Sequence, residues 1–197
     1  MSLLSGWFAG RLPSVRLAND RIHLRRPIGA DWPAWAELRA ASRDFLRPWE
    51  PTWTADALSR SAYRHRLQRY ALDWREDLGY SFVIVRNEDD TLLGGIGLSN
   101  LRRGVAETAS VGYWIGQAFA RQGYMEVALG LILAYGFDQL GLHRIEAACL
   151  PSNTPSRNLL AKLRFREEGY AKRYLCIDGR WQDHVLHALL VEEWRMK

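Results

Sequence analysis

The run VALGLILAYGF, Val127 to Phe137, is apolar around nearly its whole circumference if helical, and it constrains the fold more than any other stretch. Met125, Ala128, Leu129, Ile132, Leu133, Gly136, Phe137 and Leu140 recur at helical spacing, bracketed by Glu126 and Asp138. The run is well short of the roughly 20 residues that cross a bilayer, so it reads as a helix buried in a protein core. What covers it must come from the flanking sequence. RIHLRR alternates Ile22 and Leu24 with charged neighbours, as a strand does. YSFVIVR and TLLGGIGLSNL, parted by the polar NEDD, read as a hairpin, and ETASVGYWIG and HRIEAACL as two further strands. YLCIDGRWQDHVLHALLV reads as a second hairpin turned at Asp178-Gly179.

Helices fill the intervals. Asp31 is placed to cap one, with Pro33 in its first turn, that runs towards Phe45 and is closed by Pro48 and Pro51. A second spans about Ala55 to Leu78, with Leu67, Tyr70, Ala71, Trp74 and Leu78 on one stripe, and SNTPSRNLLAKL makes a short one. The expected fold is α+β: a mostly antiparallel mixed sheet of about seven strands flanked by helices, in the order β-αα-βββ-α-β-α-ββ. With 197 residues, 48% hydrophobic and 25% charged, the chain suffices for one domain and is short for two.

Composition narrows the function classes. Two cysteines, Cys149 and Cys176, without a CxxC or a nearby His pair, predict reduced structural thiols and no metal site. MSLLSGWFAG lacks the basic start and cleavage segment of a signal peptide, which predicts a cytoplasmic protein that engages no membrane. The net charge of +5, carried mostly by arginine, favours an acidic ligand or a polyanion such as RNA. YRHRLQRY concentrates Arg64, His65, Arg66 and Arg69, a pattern that a solvated helix face explains equally well.

Between the strand-like SVGYWIG and the apolar helix lies a polar turn at Gln122-Gly123. A helix N-terminus presents unpaired N–H groups that favour a phosphate, and Gly123 lets the backbone approach one closely, with Arg121 adding charge. A glycine in this place also serves as a simple turn.

The blocks FLRPWEP, LSNLRRG, GYWIGQ, HRIEAACLPSNTPSRNLLAKLRF and EEGYAKRYLCIDGRWQDHVLHAL extend that reading. From about Val15 to Trp194 the chain resembles the GNAT superfamily of acetyl-CoA-dependent N-acetyltransferases, and within it the RimJ/RimL-type ribosomal-protein alanine N-acetyltransferases, on the RimJ side. The resemblance implies that Trp114, Ile115 and Gly116 contact pantetheine through their backbone. It also implies that Arg121, Gln122, Gly123, Tyr124 and Met125 hold the pyrophosphate. Ala120 and Met125 depart from the superfamily pattern of Gln or Arg, two residues, Gly, one residue, Gly or Ala; backbone amides tolerate both changes.

Acetyl transfer needs a neutral amine, a stabilised oxyanion and a proton for the departing thiolate. An N-terminal α-amine, with a reference pKa of about 7.7–8.0 against about 10.4 for lysine, is partly neutral at pH 7 and needs no strong base. Ser110 stands where many relatives carry a glutamate, and Leu160 where many carry a tyrosine acid. The remaining base candidates are Glu50, Asp183 and His184; a cap or surface carboxylate, a strand-stabilising Asp and a packed His are their structural readings. The resemblance makes Ser156 the acid and Asn153 the group that orients pantetheine, although both also suit a helix start. Backbone N–H groups near Gly112 to Trp114 would hold the oxyanion. Trp49, Trp53 and Tyr80 are candidates for a peptide slot. Arg164 replaces the glycine that usually closes this helix, at a cost of roughly 1 kcal/mol if its φ is positive.

The expected activity is acetyl transfer, through a ternary complex, to the free N-terminal α-amine of a protein, an alanine of a ribosomal protein. RNA near the basic surface and a monomer or weak homodimer complete the expectation. A polyamine or aminoglycoside acceptor calls for several carboxylates, and Glu50 stands almost alone in the arginine-rich acceptor loop. A ribosome-assembly or RNA-binding factor with secondary acetyl transfer is the alternative from another class.

Overall fold

The computed structural model describes residues 14–196. The expectation about MSLLSGWFAG lies outside them. One eight-stranded sheet runs in the order β1-β2-β3-β4-β5-β6-β8-β7. Its strands are β1 (Arg16–Ala18), β2 (Ile22–Arg25), β3 (Tyr80–Arg86), β4 (Leu92–Arg102), β5 (Thr108–Ile115), β6 (Arg144–Cys149), β7 (Arg166–Ile177) and β8 (Arg180–Leu190). Every neighbouring pair is antiparallel except β5 and β6. The helices are α1 (Trp32–Ala41), α2 (Arg43–Leu46), α3 (Arg60–Arg75), α4 (Tyr124–Ala134), α5 (Thr154–Lys162) and α6 (Val191–Arg195).

The expected apolar helix is α4, prolonged by a π turn at Tyr135–Gln139. Ala128, Leu129, Ile132 and Leu133 are fully buried in one cluster with Ile22, Leu24, Ile84, Leu93 and Ile145 of the sheet. At about 1.5–3 kcal/mol for each large apolar side chain removed from water, this contact dominates the fold. A second cluster joins Val83, Val85 and Leu92 to Trp35 of α1 and Tyr63 of α3. The alternation of β3 thus feeds both faces, which explains its nearly continuous apolar reading.

Four local expectations change. β1 adds an eighth strand; with three residues and only Leu17 half-buried, it carries too little pattern to read. Asp31 does not cap α1: its carboxylate accepts from the Arg25 guanidinium at 2.6 and 2.8 Å and from the Ile28 N–H at 2.8 Å. The first helix breaks at Ser42, whose buried hydroxyl accepts from the Gln117 N–H at 3.0 Å. α3 starts at Arg60, capped by Ser59 Oγ at 3.1 Å from the Ala62 amide, and Leu78 of the expected stripe lies exposed beyond its end.

The end of α5 follows the glycine-free sequence at the anticipated cost. Arg164 sits at φ 66, with Phe165 N–H donating to Leu160 O at 3.0 Å and Arg164 N–H to Ala161 O at 2.9 Å. That is the Schellman bond pair with an arginine in the left-handed position.

Candidate active site

The single parallel pair in the sheet is short. β5 meets β6 only where Thr108–Ser110 face Arg144–Glu146, after which β5 continues on β4 as far as Ile115 and β6 continues on β8. The two strands therefore separate, leaving one edge of Val111–Ile115 without a strand partner. Gly116 N–H donates to Leu93 O at 2.9 Å, towards β4. Alternation along an antiparallel strand then turns Trp114, opposite Gly95, towards β4 as well, and leaves the peptide groups of Tyr113 and Ile115 on the open side. Of the three residues expected to offer backbone to pantetheine, only Ile115 has its peptide group on the open edge; Trp114 and Gly116 turn theirs to β4, and Tyr113 stands beside Ile115 on the open side.

Beyond the strand, a 3-10 turn at Gln117–Phe119 leads to Arg121 at φ 59 and Gly123 at φ 80. Gly123 is the N-cap of α4 and supplies no side-chain cap, so the first amides of the helix remain available to an anion. Tyr124 is buried and Met125 packs on the core, which leaves their backbone as the part facing the loop. Gln122 is pinned through Nε2 to Ala118 O at 2.8 Å. A cation missed in the sequence stands beside this loop: Arg21 donates to Gln122 O at 3.0 Å and lies 4.6 Å over the Tyr124 ring. A Cβ on Gly123 would come within 3.3 Å of that guanidinium. Arg21 is about 100 positions away in the chain, and only the β2–α4 packing brings it here. An uncapped helix start with a left-handed glycine and an adjacent guanidinium fits a pyrophosphate; the open edge of β5 fits an extended amide-bearing arm.

On the far side of the opening, Asn153 Oδ1 accepts from Ser156 N–H at 3.2 Å and caps α5. Ser156 Oγ is 2.7 Å from Tyr113 Oη. Burial pushes the Tyr113 hydroxyl up to about 12, with the Ser156 bond acting in the opposite direction. It therefore keeps its proton at neutral pH and can donate to Ser156. Burial also raises the nearby Cys149 thiol. Cys149 is buried and Cys176 exposed, and neither is in a disulfide.

Tyr113 also lines a cleft of ≈ 340 Å³ walled by Trp35, Tyr63, Arg66 and Tyr70 and floored by Gly95, Gly97 and Gly112. Glu50 reaches this cleft, with both oxygens engaged. They accept from the two terminal nitrogens of Arg39, and Oε2 also accepts from Trp53 Nε1 at 2.8 Å. Arg39 is 8% exposed, its guanidinium held 4.4 Å from the Trp53 ring and 4.7 Å from the Trp114 ring. Trp114 can lie there because β4 offers glycine: a Cβ on Gly95 would stand 2.5 Å from its Nε1.

Other candidates fall elsewhere. Tyr80 is not a cleft wall; it is buried edge-on against Trp74 and Tyr135 and donates to Asp77. Trp49 is half-buried outside the cleft lining. Asp183 accepts from Arg173 N–H and from the Tyr170 hydroxyl, both at 2.8 Å, and the first bond holds its carboxyl below the usual range. His184 is buried beside Tyr174, with Nδ1 3.1 Å from Gln182 O. Both lie in the β7–β8 hairpin and not in the cleft, because the strand-stabilising roles claim them. Among the described residues no cluster of three His, Cys, Asp or Glu side chains is placed for a metal, and no helix is long and apolar enough to span a membrane.

A sheet opened between parallel strands, an uncapped helix start and a cleft beside them suit group transfer from an extended, phosphorylated donor. The acetyltransferase (GNAT) domain model matches residues 21–166, and the chain belongs to that family. It is 36% identical over 189 residues to the [ribosomal protein uS5]-alanine N-acetyltransferase of Escherichia coli, covering 95% of this chain and 96% of that protein. Mycobacterium smegmatis RimJ in complex with CoA-disulfide superposes with a TM-score of 0.85 at 33% identity, covering 93% of this chain and 90% of that one. The ribosomal-protein-S5-alanine acetyltransferase of Vibrio fischeri gives 0.84 at 29% identity, covering 92% and 99%.

Proposed function

We propose that this protein transfers acetyl from acetyl-CoA to the free N-terminal α-amine of a protein, an alanine of a ribosomal protein, in the cytoplasm. The observation that carries the reaction is the meeting of the two half-sites at Tyr113, whose backbone edges the β5–β6 opening and borders the cleft and whose hydroxyl lies 2.7 Å from Ser156 Oγ. The acceptor class follows the activity named for the relatives.

In this reading Arg21, the amides after Gly123 and the open backbone of Tyr113 and Ile115 hold acetyl-CoA, with Asn153 at the α5 start. Bound there, the cofactor supplies an activated thioester. The Tyr113 N–H, on the open edge, donates to the negative charge that develops on the carbonyl oxygen. As the new N–C bond forms and the S–C bond breaks, Ser156 O–H gives its proton to the sulfur, Tyr113 O–H replaces it, and the proton lost by the amine, carried through water, restores Tyr113. Glu50 is a positioning residue in this reading: three donated bonds, two from Arg39 and one from Trp53, take most of its acceptor sites and hold it in the ion pair. An α-amine is already partly neutral at pH 7.

The test is thiol release from acetyl-CoA with peptides beginning Ala, Ser or Met, beside an N-terminally blocked lysine peptide and spermidine. Turnover confined to free Ala or Ser N-termini is expected. Turnover with spermidine alone would sink the acceptor assignment, and acetyl-CoA binding without any turnover would favour a binding factor.

A further inference from the structure

The charge of the cleft is not balanced. Helix α3 carries Arg60, Arg64, Arg66, Arg69 and Arg75 against the single carboxylate of Asp73, a surplus of four where the whole chain's surplus is five. Among the described residues none of these five arginines forms an ion pair. Arg66 is the one that enters the cleft. It is half-buried, stacked 5.4 Å from the Trp35 ring, and among the described residues its one hydrogen bond is a 3.3 Å donation to Tyr70 Oη. Among the described residues the one carboxylate lining the cleft, Glu50, is already engaged by Arg39. One turn along, Arg69 lies over Tyr70 at the lip.

A planar guanidinium, half withdrawn from water and with donors to spare, matches a carboxylate in bidentate geometry better than any other peptide group. We propose that Arg66, continued by Arg69, binds a carboxylate side chain within the first few residues of the acceptor, so that the preferred substrate is an acidic N-terminal segment. The proposal rests on the α-amine reading above. A cleft of ≈ 340 Å³ admits an extended peptide, which advances about 3.3–3.6 Å per residue, and brings it to Arg66, whereas a polynucleotide on the outer surface would meet Arg60, Arg64 and Arg75, which lie outside the cleft lining. A cationic wall also disfavours a protonated amine, which keeps polyamines out and favours the neutral α-amine that reacts.

The experiment walks one Asp or Glu through the second to sixth positions of an Ala-initiated, otherwise uncharged peptide, with Asn, Gln and Lys at the same places, and reads kcat/KM. Carboxylate peptides should exceed their amide counterparts by about tenfold at one or two adjacent positions, a margin that shrinks as salt rises. Arg66→Gln should bring the acid-to-amide ratio near one, and Arg66→Glu should turn the preference towards Lys. Equal kcat/KM for acid and amide at every position of the wild-type protein would overturn the proposal without any variant being needed. So would a preference that survives Arg66→Gln, or competition by a short single-stranded RNA without a peptide charge preference. Failure of every α-amine peptide would overturn this inference together with the acceptor class, whereas reaction of all of them alike overturns this inference only.

Discussion

Replacing Glu50 with Gln separates a structural carboxylate from a catalytic base. The side chain of Glu50 is 20% exposed and that of its partner Arg39 10% exposed. Breaking a buried ion pair from one side costs about 3–5 kcal/mol, because the other charge stays buried without compensation. Glutamine keeps one oxygen to accept from Arg39 or Trp53, and Glu50 is partly hydrated, so the expected loss is about 2–3 kcal/mol. In a chain of this size each kcal/mol moves Tm by about 2–4 °C, giving a fall of about 4–12 °C. Arg39→Met should cost a similar amount. The double variant Arg39→Met/Glu50→Met should lose clearly less than the two single losses combined, because two apolar side chains leave no orphaned charge. Urea unfolding followed by tryptophan fluorescence reports the cycle directly, since Trp53 and Trp114 flank Arg39. At a temperature where Glu50→Gln is folded, kcat should stay within about tenfold of wild type. Losses additive to within about 0.5 kcal/mol would refute the coupling. An unchanged Tm with kcat abolished would make Glu50 the base.

Tyr113→Phe removes the hydroxyl that partners Ser156 and should lower kcat by about tenfold while leaving the KM for acetyl-CoA nearly unchanged; a KM effect alone would make the hydroxyl a binding group. Gly116→Ala places a methyl 2.3 Å from Leu38 Cδ1, so the Leu38 side chain must turn away or α1 give way, at a cost of about 1–3 kcal/mol in a thermal melt; a neutral substitution would contradict that packing. Tyr113 and Tyr135 are both pushed up to about 12, chiefly by burial. Each lends stability that is complete below pH 10, where the unfolded chain keeps its phenol proton, and that is lost as pH rises from about 10 to 12. The urea midpoint should therefore fall across that window, and a flat profile there would refute the burial of these hydroxyls.

The sequence told most about the elements that patterning determines. The apolar circumference of α4, the alternation of β2 and the apolar runs of β3, β4 and β8 between polar turns are physical patterns, and they placed the sheet and its covering helix correctly. The left-handed Arg164 could also be anticipated from its position at the end of α5. The left-handed turn at Gly123 ahead of α4 was legible because local backbone chemistry creates it. Side chains assembled by long-range packing were not. Arg21, Arg39 and Arg66 look like ordinary surface arginines in a chain rich in them, and nothing local tells which one stacks between two tryptophans or faces a cleft. Tyr113 sat in a stretch read for its backbone, and its hydroxyl gained a role only when α5 came opposite β5. Tyr80 erred the other way: its residue type is at home in active sites, yet here it fills a core.

The most direct test of the central claim is to incubate the protein with acetyl-CoA and a peptide that carries both a free N-terminal alanine and an internal lysine, then locate the acetyl group by fragmentation mass spectrometry. The account predicts a single acetyl on the alanine nitrogen. Acetyl on the lysine ε-nitrogen, with the alanine left free, would contradict it.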